Sequence, residues 1–141
     1  MHRILVATVA GWLGVADGAL AQAPRFDTAS ETCKPYRKGV LDRQWQVSAP
    51  RNPPRVGDVI TIGLRDKHAD AGQRTMVRAR ILGAAALLES KPFQVIADNF
   101  AEVEYPRDFL SARPLPPGPY TVHWVLAEGD GFLACDGFVV R

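Results

Sequence analysis

The chain has 141 residues, 47% of them hydrophobic, and 17 basic against 15 acidic side chains leave a formal charge of +2. That charge is too small to hold a polyanion, so neither nucleic acid nor an anionic membrane surface is an expected partner. The length suits one domain with a real core and not comfortably two.

Met1-His2-Arg3 opens the chain, no charge falls between Ile4 and Ala16, and Ala19-Leu20-Ala21 precedes Gln22. A cationic start, a short apolar stretch and small residues at alternate positions form an export signal over residues 1–21. A cut after Ala23 satisfies the same rule but leaves Pro24 first. The competing reading is a retained membrane anchor, yet the uncharged run makes a helix of roughly 20 Å against a hydrocarbon core of roughly 30 Å. Residues 22–141 are then expected to form a single domain, periplasmic or secreted, with no membrane span.

Export carries Cys33 and Cys135 to where thiols are oxidised, and a disulfide between them is the expected pairing. It would close a loop of about 100 residues, worth roughly 4 to 5 kcal/mol in the chain-entropy model. Two free thiols or a metal pair are the alternatives, and no histidine stands beside either cysteine.

Through the remainder the hydrophobic period is two, which predicts half-buried strands. Leu41, Arg43, Trp45 and Val47 alternate with polar residues; Ile60, Ile62 and Leu64 point one way while Thr61 and Arg65 point the other. Asp66 to Gln73 reads as an exposed loop. Met76 to Glu89 fits two templates: Val77, Ala79 and Ile81 alternate with Arg78 and Arg80, but Val77, Ile81, Ala84 or Ala85 and Leu88 also fall at helical spacing. A strand to Leu82 followed by a short helical turn near 84–88 is expected. Further strands follow at Phe93 to Ala97 and at Ala101 to Tyr105. Pro114 to Pro119 forces an extended approach to a Tyr120 to Leu126 strand, and Glu128-Gly129-Asp130-Gly131 turns it back into Phe132 to Val140.

Six to eight short strands joined by Pro- and Gly-rich turns predict an all-β fold, an antiparallel β-sandwich. Pro117-Gly118-Pro119-Tyr120-Thr121-Val122-His123-Trp124 resembles the approach to the penultimate strand of immunoglobulin-like domains, in which the tyrosine turns back to bond the backbone at the corner. Tyr120 to Val140 is also similar to the C-terminal hairpin of periplasmic copper-resistance proteins of the CopC type. There Phe132 stands where that family places a copper-binding histidine, and the new start Gln22-Ala23-Pro24-Arg25 offers none. The resemblance therefore implies the fold and not the copper site.

Chemistry-bearing residues are sparse. His68, His123 and Asp130 are the metal-ligand candidates, with Met76 as a soft fourth; each also reads as a loop, sheet-face or turn residue. The pair Asp130 and Asp136 flanks the last hairpin. Ser48, Ser90 and Ser111 lie in no nucleophile motif, and no phosphate loop or zinc spacing is present, so no catalytic residue and no cofactor is expected. Arg78 and Arg80 form a stripe that meets an acidic partner or blunts an edge strand. Trp45 is the aromatic expected to be exposed, because its face also carries Arg43. These readings point to an exported, non-catalytic immunoglobulin-like module that binds another envelope or extracellular protein through residues such as Trp45, Arg78 and Arg80. The alternative is a CopC-like metal-handling protein of the periplasm.

Overall fold

The computed structural model describes residues 23–35, 44–68 and 70–141. The export-signal reading over 1–21 lies outside these residues, as do Leu41 and Arg43. Among the described residues there are ten strands: β1 Arg25–Asp27, β2 Thr32–Lys34, β3 Trp45–Ser48, β4 Ile60–Asp66, β5 Arg74–Leu82, β6 Leu87–Glu89, β7 Phe93–Ile96, β8 Ala101–Tyr105, β9 Gly118–Leu126 and β10 Phe132–Val140. All pairings are antiparallel. One sheet has the order β3-β4-β8, and a second has the order β10-β9-β5-β6 with β7 also on β5. The short hairpin β1-β2 shares no strand pairing with either sheet.

The period-two pattern sends alternate side chains from both sheets into one apolar core. Ile60, Ile62 and Leu64 of β4, Val77, Ala79 and Ile81 of β5, Val122 and Trp124 of β9 and Phe138 of β10 are each at most 2% exposed. A fully buried side chain of this size contributes about 1.5 to 3 kcal/mol, so this set is the main stabilising term. Phe93 meets Trp124 edge-on at 5.8 Å between ring centroids, and Tyr120 stacks on Phe138 at 5.5 Å. The Tyr120 hydroxyl donates to the Pro116 carbonyl at 2.6 Å, fixing the corner where the proline run enters β9.

Several expectations are corrected. No helical turn forms near 84–88: Gly83 N–H donates to the Ala86 carbonyl at 2.9 Å, and the chain returns as β6 with Leu82 opposite Leu87. Gly83 is required there, since a Cβ would lie 2.7 Å from the Tyr120 ring. A run this short gains too few helical bonds to compete with sheet pairing. Trp45 is buried rather than exposed, at 7%, because β3 turns it toward the core. Strand β5 is not an edge either; it lies between β9 on one side and β6 and β7 on the other, so Arg78 and Arg80 protect no edge. Asp66 closes β4 and is buried, so the loop begins one residue later than its composition suggests.

The β9–β10 hairpin forms as expected, with Gly129 at φ 78° and Asp130 at φ 56° in the turn. Its outer face, however, is not wet. Hairpin β1-β2 lies across it, covering Thr121 and Gly137, and this cover is the feature that shapes the candidate sites.

Candidate functional site

Three contacts and one covalent bond dock the β1-β2 hairpin. Cys33 of β2 is bonded to Cys135 of β10 with an S–S distance of 2.06 Å across 102 positions of sequence. Phe26 of β1 lies on the bare backbone of Gly137, and its N–H donates to Thr121 Oγ1 at 2.9 Å. His123 Nε2 sits 2.6 Å from the Pro24 carbonyl, which only accepts, so this nitrogen carries the hydrogen. Burial pushes the His123 imidazole below its ordinary 6.5, and the Arg25 and Arg80 cations push the same way, against the Pro24 bond. A disulfide of this kind is compatible with an oxidising, extracellular compartment.

Between this hairpin, β3 and β10 runs a cleft of about 230 Å³. Its walls include the disulfide, Trp45, Val47, Phe132 and Leu133. At its base Arg51 donates from Nη2 to Asp136 Oδ1 at 2.9 Å and from Nη1 to the Gly137 carbonyl at 3.0 Å. Asp136 is only 4% exposed, and its Oδ2 has no hydrogen-bond partner among the described residues.

A larger groove, about 840 Å³, lies between β1, the β5–β6 turn and the start of β9. One wall is the β5–β6 turn, Gly83 to Leu88; the other is the extended run Pro114 to Pro119. The proline run cannot form a helix and is held by the Tyr120 corner, so this wall is rigid. Leu87 stands 60% exposed beside it, on the strand that ends the sheet order. Among the described residues the charged side chains lining the groove are Arg25 and Arg113.

The residues singled out in the sequence do not assemble into either feature. His68 is exposed on the β4–β5 loop, where its backbone N–H donates to Asp66 Oδ1 at 3.2 Å. Asp130 pairs with Arg80 at 2.9 Å, and Arg80 also holds Glu89 at 2.7 Å. Arg80 is thus engaged within its own sheet, which removes it as a free partner contact; Arg78 makes no ion pair among the described residues. Met76 is exposed on β5. Among the described residues no three or more His, Cys, Asp or Glu side chains gather as a metal site. Asp130 and Asp136 do not act as a pair, since each has its own arginine. Sequence reasoning missed Arg51, which lies in an unpatterned Pro-rich stretch, and missed the groove, whose Ala84-Ala85-Ala86 wall was read as helix.

No family model matches the chain, and no curated protein matches it. Among solved structures it is similar to Pseudomonas fluorescens alkylpurine DNA glycosylase AlkC bound to DNA containing an abasic site analog, with 20% identity and a TM-score of 0.43. The match covers 70% of this chain and 30% of that one. The expectation that the chain is not an enzyme is corrected here, because a match to part of an enzyme leaves that exclusion without support. At this TM-score the likeness carries no activity across.

Proposed function

We propose that the chain is an exported immunoglobulin-like domain that serves as an interaction module of the cell envelope, and that it grips an extended segment of an envelope or extracellular protein in the groove between the β5–β6 turn and the proline run. The immunoglobulin-like reading is supported by the two sheet orders, β3-β4-β8 facing β10-β9-β5, and by the tyrosine corner at the start of the penultimate strand. The disulfide, which here ties an N-terminal hairpin to the last strand, supports export.

The observation that carries the binding role is the groove itself. Alanine, leucine and proline walls enclose about 840 Å³ beside an exposed Leu87, and rigid walls lose little entropy when a partner docks. Leu110 N–H already donates to the Glu89 carbonyl at 3.0 Å, so the occupant lies in the groove beside Leu87 rather than as a strand added along β6. Arg25 and Arg113 at the groove select the occupant: an apolar segment bearing carboxylates.

The test is capture from envelope extract with the oxidised protein and two variants. Leu87→Glu places a like charge against a carboxylate-bearing segment, and Arg25→Glu with Arg113→Glu reverses the groove's sign. The reading requires a protein retained by the wild type and lost by both variants, with retention weakened by salt. Retention unchanged in both variants, or no retained protein, refutes it.

A further inference from the structure

We propose that the Cys33–Cys135 disulfide is a latch for the groove, closed when oxidised and opened by a dithiol; this rests on the reading of the groove as the partner-binding surface. The carrying observation is that the bond fastens a wall of the groove and none of the core. Arg25 and Phe26 of β1 line the groove together with Gly118 to Thr121 of β9. Phe26 stands directly opposite Cys33 in the β1-β2 register, so the bond from Cys33 to Cys135 pins that wall at its middle residue. Among the described residues neither β1 nor β2 contributes to the buried apolar cluster between the two sheets, and neither pairs with a strand of either sheet.

The contacts that hold the hairpin besides the bond are few. The Phe26 N–H donates to Thr121 Oγ1 at 2.9 Å, His123 donates to the Pro24 carbonyl at 2.6 Å, and the half-buried Phe26 ring covers Gly137. A segment held by so little buried surface opens locally far more readily than the whole domain unfolds, once the cross-link beside it is gone. Cys33 and Cys135 are each half-buried rather than enclosed, and both line the cleft between β2, β3 and β10, so an attacking thiolate approaches without disturbing the core. One thiolate of the dithiol attacks a sulfur, the S–S bond breaks with its electron pair leaving on the other cysteine, and the second thiolate of the dithiol displaces the first. The dithiol ends as a disulfide, having given up two electrons, and its two protons end on Cys33 and Cys135. Freed, β1 takes Arg25 and Phe26 out of the groove, and the occupant keeps only Arg113 of the two cations that select it.

The experiment compares the oxidised full protein, the same protein held in dithiothreitol, and Cys33→Ser with Cys135→Ser, which opens the latch without a reductant and so spares the disulfides of other proteins. Amide hydrogen exchange reads the latch with no ligand present. The Phe26 N–H is expected to exchange about tenfold faster in both open forms, while the amides of Val77, Ile81 and Val122 in the core stay protected. Capture from envelope extract reads the groove: the oxidised protein is expected to retain its partner and the serine variant to lose it. A Phe26 amide equally protected in oxidised and open forms, loss of protection throughout the core, or equal capture by the oxidised and serine forms overturns the latch. Equal capture leaves the groove reading standing, whereas no capture by the oxidised protein refutes that reading and the latch with it.

Discussion

Gly137→Ala tests whether the β1-β2 hairpin docks as described. A Cβ at position 137 would fall 2.1 Å from Phe26 Cγ, 2.4 Å from Phe26 Cβ and 2.5 Å from the Tyr120 carbonyl oxygen, distances that no carbon tolerates. Because two of the three atoms belong to Phe26 and the third is backbone of the core sheet, the hairpin is what moves. Lifting it removes the half-buried Phe26 packing, about 1 to 2 kcal/mol, and the Phe26–Thr121 hydrogen bond, about 1 kcal/mol. The disulfide keeps the hairpin tethered, so the loss is bounded near 2 to 3 kcal/mol, or about 10 °C in Tm for a domain of this size. Urea unfolding of the oxidised protein measures it, and Phe26→Gly supplies the partner for a double-mutant cycle. In the Phe26→Gly background the alanine is expected to cost less than half as much. A single-variant loss under 0.5 kcal/mol, or full additivity of the two changes, refutes the reasoning.

Three other outcomes follow from the same contacts. Replacing Cys33 and Cys135 by serine opens a loop closed across 102 positions and is expected to lower stability by about 4 kcal/mol in denaturant titration. The folded His123 holds its proton less tightly than the unfolded one, so between its depressed folded value and 6.5 the unfolded chain binds more protons. Stability therefore falls as pH drops below about 6.5, and a Tm series from pH 8 to 5 is expected to flatten in His123→Gln. Tyr120→Phe removes the hydroxyl from the Pro116 carbonyl and is expected to cost about 1 kcal/mol, with faster amide exchange along Leu115 to Gly118 as its signature.

How far the sequence was legible depended on how local each signal is. Alternation located β4, β8 and β9, because each buries one face and a period of two leaves no other assignment for Ile60, Ile62 and Leu64 or for Val122 and Trp124; the turn at Glu128 to Gly131 located β10, and for β5 alternation competed with helical spacing. The two cysteines were paired by compartment and count. What failed was non-local. Ala84-Ala85-Ala86 carries helix propensity, yet Gly83 against the Tyr120 ring makes it the turn of a hairpin. Trp45 was misjudged because nothing near it in sequence announces the core it enters. The cover over the outer face of β9 and β10 depends on three residues of β1 meeting strands about a hundred positions away, so Gly137 reads as an ordinary strand glycine until Phe26 is seen above it. Arg51 and Asp136 are likewise 85 positions apart, and neither belongs to a motif.

Site-specific photo-crosslinking within the intact envelope tests the central claim most directly. A crosslinking side chain at Ala85, in the groove wall, is expected to give a discrete adduct with one protein, while the same side chain at exposed Val59, which does not line the groove, gives none. Equal adducts from both positions, or none from Ala85, contradict the assignment of the groove as the partner-binding surface.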